Sequence, residues 1–221
     1  MWGLTLGEEL PGGPLACCVQ ATTAEGDEAV LKLSSPWARG ADELAALRAW
    51  DGRGAPLVLR ADEDAGALLL ERIRPGNPAA DARVEDVAAL FALLHVEPLA
   101  ALPPLDAIVR ERVERAAEEG RARGPRLEWA RAALARRSDG TPGAALVHGN
   151  LGPRNVVRCA RRGLCAIDPL PCAGDPAYDA AFGVHANGRP GRRARFEALA
   201  DAMGLERARL RDWCGVIAVH G

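Results

Sequence analysis

Lysine is almost missing from this sequence: of 28 basic residues, 27 are arginine, and Lys32 is the single lysine. Aromatic residues make up only 4% of the chain, too few to interleave with the arginines as nucleic-acid binding requires. No segment approaches the roughly 18 uncharged apolar residues of a membrane span. The N-terminus, MWGLTLGEEL, has no basic start followed by an apolar block, so nothing in it resembles an export signal and we expect a cytoplasmic protein. The six cysteines show no C-x-x-C spacing and read as reduced thiols, not as a disulfide framework or zinc site. His95-Val96-Glu97 with Pro171-Cys172 has half of a zinc-deaminase signature. Asp175 stands where its second cysteine belongs.

What is present is a chain of 221 residues, 48% apolar, long enough to bury a substantial core. Net charge is −2, unevenly spread: residues 1–100 carry 8 basic and 16 acidic groups, and residues 101–221 carry 20 basic and 14 acidic. The halves are therefore −8 and +6, which fits either two lobes with different faces toward a ligand or biased solvated surface. In a composition that turns lysine into arginine wherever a charge suffices, Lys32 is either a chance survivor or a site that needs a compact ammonium, for which a planar guanidinium is no substitute.

Alternation and turn residues predict strands at 3–10, 15–23 and 28–33, with Val30 and Lys32 on one face of the third. A helix is expected over 41–50, then strands over 56–61 and 67–73. The cluster Arg74-Pro75-Gly76-Asn77-Pro78 breaks the pattern and sets the expected boundary between residues 1–73 and 74–221. The second part opens with helices over 84–95, 105–121 and 125–137. A short strand at 144–147 follows, then a hairpin of strands 156–159 and 164–167, a loop carrying Asp175-Pro176 and Tyr178-Asp179, and a helix over 192–203. The fold class is thus α+β: a small antiparallel sheet plus a helix, then a mainly helical lobe with an inserted hairpin.

That hairpin carries the candidates for chemistry. Phosphoryl transfer needs a cation on the nucleotide phosphates, oxygen ligands for magnesium, and a group to orient the attacking hydroxyl. Lys32 fits the first, with Glu43 on the following helix able to pair with it. Asn155 and Asp168, at opposite ends of the hairpin, can bring an amide oxygen and a carboxylate to one Mg2+. Taken singly, each has a plainer reading: a surface lysine, a turn asparagine, a solvated glutamate.

The run HGNLGPRNVV (148–157) resembles the H-G-D-L-H-P-G-N-V-L loop of aminoglycoside phosphotransferases. AIDPLPCAGDPAYDAA (166–181) resembles the magnesium motif of their streptomycin 6-kinase branch, which includes the hydroxyurea and aminoglycoside resistance kinases. LPGG, AVLKL, LAALRAWDGRGA and ALLLERIRPG follow the same branch in the same order. The resemblance implies a bilobal protein-kinase-like fold that uses ATP and magnesium to phosphorylate an antibiotic hydroxyl. It implies that Lys32 meets the phosphates and pairs with Glu43, that Gly12 and Gly13 lie over them, that Glu71 to Ile73 form the hinge near adenine, and that Asn155 and Asp168 hold the metal. His148 would brace the loop, with Asp175, Tyr178 and Asp179 holding it from behind.

Three of the eight loop letters depart from the family pattern. Asn150 replaces the aspartate that positions the acceptor and takes its proton, Gly152 replaces a histidine, and Arg154 replaces a glycine. An amide accepts a hydrogen bond but is not a useful base, and losing general-base assistance costs about 10² to 10⁴ in rate. The expected activity is a phosphotransferase acting on a small molecule, an aminoglycoside such as streptomycin, with a nucleotide-binding pseudokinase as the alternative. The chain is also expected to lack the family's N-terminal lead-in and last helices. Neither nucleic acid nor membrane is an expected partner, and a monomer is the default. Streptomycin rests on the resemblance alone, because a polycation prefers an acidic pocket. The glutamates at 111, 114, 118 and 119 offer either such a face or the wet side of a helix.

Overall fold

The computed structural model describes residues 2–11, 16–35, 39–137, 144–185 and 191–220. The expected strands form a five-stranded antiparallel sheet in the order β1-β2-β3-β5-β4, from β1 (Thr5–Leu10), β2 (Ala16–Thr22), β3 (Glu28–Ser34), β4 (Val58–Asp62) and β5 (Ala67–Glu71). Helix α1 (Gly40–Trp50) lies between β3 and β4. Its first turn holds Asp42 and Glu43, which suit the positive end of the helix dipole. Register places Lys32 opposite Cys18 on β2 and Leu68 on β5. Lys32 therefore shares the sheet face of Leu68 and Leu70, which join the core with Leu44 and Leu47 of α1. The opposite face, Ala29 with Leu31, packs on Ala21 and Leu69.

The Pro/Gly cluster expected only to break the pattern runs as a short strand, β6 (Pro75–Pro78). It pairs with β8 (Val156–Cys159), itself paired with β9 (Gly163–Ala166). Proline is tolerated there because β6 is an edge strand. The second part is otherwise helical: α2 (Val84–Leu94), α3 (Leu105–Glu118) and α4 (Pro125–Arg137) match expectation. A two-stranded ribbon joins β7 (Ala145–Val147) to β10 (Cys172–Gly174).

Two elements correct the sequence reading. The expected loop after Asp175 becomes helix α5 (Ala177–His185), because Asp175 Oδ1 accepts a hydrogen bond from the Ala177 amide at 2.8 Å and Pro176 precedes the helix, a start signal the sequence already held. Beyond α6 (Arg192–Ala202), a further helix α7 (Arg207–His220) packs on α4 and α5. One core runs through both parts. Trp50 at the end of α1 is fully buried, and its indole donates to the Leu94 carbonyl of α2 at 2.8 Å.

Candidate functional site

Lys32, Glu43 and Asp168, far apart in sequence, meet at one point. Lys32 Nζ lies 2.7 Å from Glu43 Oε1 and 2.8 Å from Asp168 Oδ1. Lys32 and Glu43 are buried, whereas the Asp168 side chain keeps 47% of its exposure. Burial disfavours the ammonium, yet the two carboxylates outweigh it and raise the Lys32 pKa. The result is a fixed, fully charged cation with an open carboxylate beside it.

The hairpin supplies the second half of the site. Ile167 donates its amide to the Asn155 carbonyl at 2.8 Å, which closes the hairpin base and brings the two ends together. Asn155 Nδ2 donates to the Asn150 carbonyl at 2.7 Å, so its amide oxygen is turned away from that bond. Asp168 sits at φ 56, a left-handed conformation uncommon for aspartate. Asn150 Nδ2 donates to the Asp168 carbonyl at 2.9 Å and approaches Asp168 Oδ2 at 3.4 Å. Asn150, Asn155 and Asp168 thus form one hydrogen-bonded group next to Lys32. It presents hard oxygens, the Asn155 amide oxygen and the half-exposed Asp168 carboxylate, which would suit a magnesium ion that keeps most of its shell for water and phosphate. Among the described residues no cluster of three or more His, Cys, Asp or Glu offers an all-protein metal cage.

The loop is held from behind by hydrogen bonds to its main chain. The buried Asp179 carboxylate accepts from the amides of His148 (2.8 Å) and Gly149 (3.0 Å) and lies 3.1 Å from His95 Nε2. Gly149 has φ 75, and a Cβ there would come within 2.2 Å of the Leu170 carbonyl oxygen, so only glycine fits. The His148 ring is completely buried and stacks on Trp50 at 5.8 Å. Burial drives its pKa down to about 4, so it braces as a neutral ring. Asp175 accepts from Arg209 Nε (2.5 Å) and Trp213 Nε1 (2.7 Å), anchoring α7.

Other expectations fall differently. The Glu71 carboxylate turns to Arg162 Nη2 (2.6 Å) and the Leu57 amide (3.2 Å), and Ile73 packs on Val157, Cys159 and Cys165. The side chains of 71 and 73 thus join the end of β5 and the segment after it to the hairpin. Gly12 and Gly13 lie outside the described residues. Three of the four expected glutamates on and just beyond α3 are paired with arginines, Glu111 with Arg115, Glu114 with Arg131 and Glu119 with Arg121. Sequence reasoning missed Arg112, which donates to the Gly149 carbonyl (3.3 Å) and the Tyr178 hydroxyl (2.9 Å). It also missed Arg39, which joins Asp42 to the Pro171 carbonyl at 3.1 Å. In a chain whose default cation is arginine, neither stood out.

A lysine on β3 paired with a helix glutamate, beneath a hairpin that ends in a carboxylate, defines the bilobal protein-kinase-like fold. Residues 2–220 match the family described as aminoglycoside/hydroxyurea antibiotic resistance kinase, and the chain belongs to it. It is 37% identical to a hydroxyurea phosphotransferase of Kitasatospora aureofaciens, over 96% of this chain and 66% of that protein. It is 30% identical to a streptomycin 6-kinase of Streptomyces griseus, over 96% of this chain and 75% of that one. Among solved structures, a choline/ethanolamine kinase family protein from Mesorhizobium loti superposes with a TM-score of 0.70 at 17% identity, covering 97% of this chain and 76% of that one.

Proposed function

We propose that this chain is an ATP- and magnesium-dependent phosphotransferase that acts on a hydroxyl of a small molecule. Residues 1–73 would be the nucleotide lobe and 74–221 the acceptor lobe. The observation that carries the reading is the Lys32–Glu43–Asp168 contact, which holds an ammonium where nucleotide phosphates would lie and leaves the Asp168 carboxylate exposed beside it. Asn155 and Asp168 are the residues that would hold Mg2+, which would offset the charge of the nucleotide phosphates. Lys32 orients the phosphates, Glu43 keeps Lys32 in place, and Asn150 receives the acceptor hydroxyl through its amide oxygen.

Streptomycin and hydroxyurea, the substrates in the names of the relatives, are the first acceptors to test. The arginines paired with Glu111 and Glu114 weigh against a polycation, because they offset that part of the acidic face. Asn150 supports a second reading, a pseudokinase that binds nucleotide without transfer. Magnesium-ATP is expected to raise the melting temperature under both readings. Phosphorylated product from either acceptor favours the enzyme, whereas binding without product, with turnover restored by Asn150→Asp, favours the pseudokinase. No stabilisation by magnesium-ATP contradicts both.

A further inference from the structure

A second cation lines a cavity at some distance from Lys32. Arg72 directly follows β5, and it shares the walls of a cavity of about 110 Å3 with Thr5, Gln20, Thr22, Glu28 and Arg74. A single water needs roughly 10–15 Å3, so the space admits a larger group. Register places it at one end of the sheet, where Thr5 pairs with Thr22 and Thr22 with Glu28. Glu28 lies four residues before Lys32 on β3, about 13 Å away at the usual strand rise. The cavity is thus separate in place from the Lys32–Glu43–Asp168 contact.

Arg72 is partly buried, and its Nε is sealed from solvent with no hydrogen-bond acceptor among the described residues. Buried charges are ordinarily paired, and an unsatisfied buried donor points to a water or an ion. The neighbouring acid is already engaged: Arg74 donates to Glu28 Oε2 through Nε at 3.1 Å and to Oε1 through Nη2. Two guanidiniums therefore stand against one carboxylate. Arg72 registers the imbalance, its pKa lowered by burial first and by the Arg74 charge next, against the pull of Glu28. A water would satisfy Nε and leave the charge uncompensated, whereas an oxyanion answers both. The guanidinium offers such a group a planar fork of donors, and the hydroxyls of Thr5 and Thr22 and the amide of Gln20 can donate to its remaining oxygens.

We propose that the cavity beside Arg72 is a binding site for a small oxyanion of the phosphate class, distinct from the place of the nucleotide phosphates. Arg72 supplies the fork while Arg74 stays on Glu28. The residues on either side, Glu71 and Ile73, reach the hairpin, so the anion lies at the junction between the sheet and the second part of the chain. The site does not depend on the phosphotransferase reading, and its failure leaves that reading untouched.

Inorganic phosphate is the probe, exchanged for chloride at constant ionic strength with neither magnesium nor nucleotide present. The melting temperature of the wild type is expected to rise saturably. The apparent affinity should be at least about tenfold weaker in Arg72→Gln, the loss expected when a charged hydrogen-bonding partner is removed. The Arg72 Nε–H resonance, identified by its absence in Arg72→Lys, should shift over the same range of phosphate in the wild type, and it decides the matter alone if Arg72→Gln does not fold. Saturating magnesium-ATP should leave that shift in place. No saturable rise in the wild type, an equal rise in Arg72→Gln, an unmoved Nε–H resonance, or reversal of its shift by magnesium-ATP would each overturn the proposal.

Discussion

Asp179 shows what one buried residue contributes to the loop. Its carboxylate satisfies the amides of His148 and Gly149, which precede Asn150 directly. Each buried donor left unpaired costs about 1–3 kcal/mol. Asp179→Ala is therefore expected to lower the unfolding free energy by about 2–6 kcal/mol, seen as an earlier midpoint in urea, and an unchanged midpoint would contradict the bracing role. Lys32, Glu43, Asn155 and Asp168 were legible in the sequence because their chemistry is scarce or their spacing spans a hairpin. Arg112 and Arg39 were not, because they act through main-chain carbonyls supplied by distant segments. Pairing cannot be read from a residue whose partner is any peptide group.

Helix α7 illustrates the same limit at the scale of an element. Gly215 in its middle lowers helix propensity, and the arginines at 207, 209 and 211 dilute the apolar pattern, so the sequence did not announce it. The structure gives the reason for the glycine: a Cβ at 215 would fall 1.7 Å from Trp129 of α4. An alanine gains about 1 kcal/mol of propensity, whereas overpacking costs typically 1–3 kcal/mol, and so short a distance to a rigid ring places the cost at the upper end. Gly215→Ala is expected to lower the melting temperature, and a higher one would show that α4 can retreat freely. The sheet and the hairpin were legible because alternation and turn residues mark them locally. Helix α5 was missed although its cap was visible, and β6 because a proline-rich segment reads as a break until β8 lies beside it.

For the molecule as a whole, one buried histidine, His148, and one partly buried, His220, couple stability to pH. Burial, the dominant cause, holds both His148 and His220 at about 4, against 6.5 for a free histidine. Between those values the unfolded chain binds more protons than the folded one, so stability is full above 6.5 and falls as pH drops toward 4. The slope is about 1.4 kcal/mol per pH unit for each histidine. Urea titrations between pH 7 and 4.5 should show this decline, made shallower by His220→Gln, and a flat profile would contradict the burial of both rings.

The proposal that Lys32, Glu43, Asn155 and Asp168 form a magnesium-nucleotide site is tested most directly by calorimetric titration with magnesium-ATP. Asp168→Asn is suited to the comparison because the side chain is half exposed and the change keeps its shape while removing its charge. Saturable binding is predicted for the wild type, and at least about tenfold weaker binding for the variant, equal to about 1.4 kcal/mol. Absence of binding by the wild type, or equal affinity in the two proteins, would contradict the account.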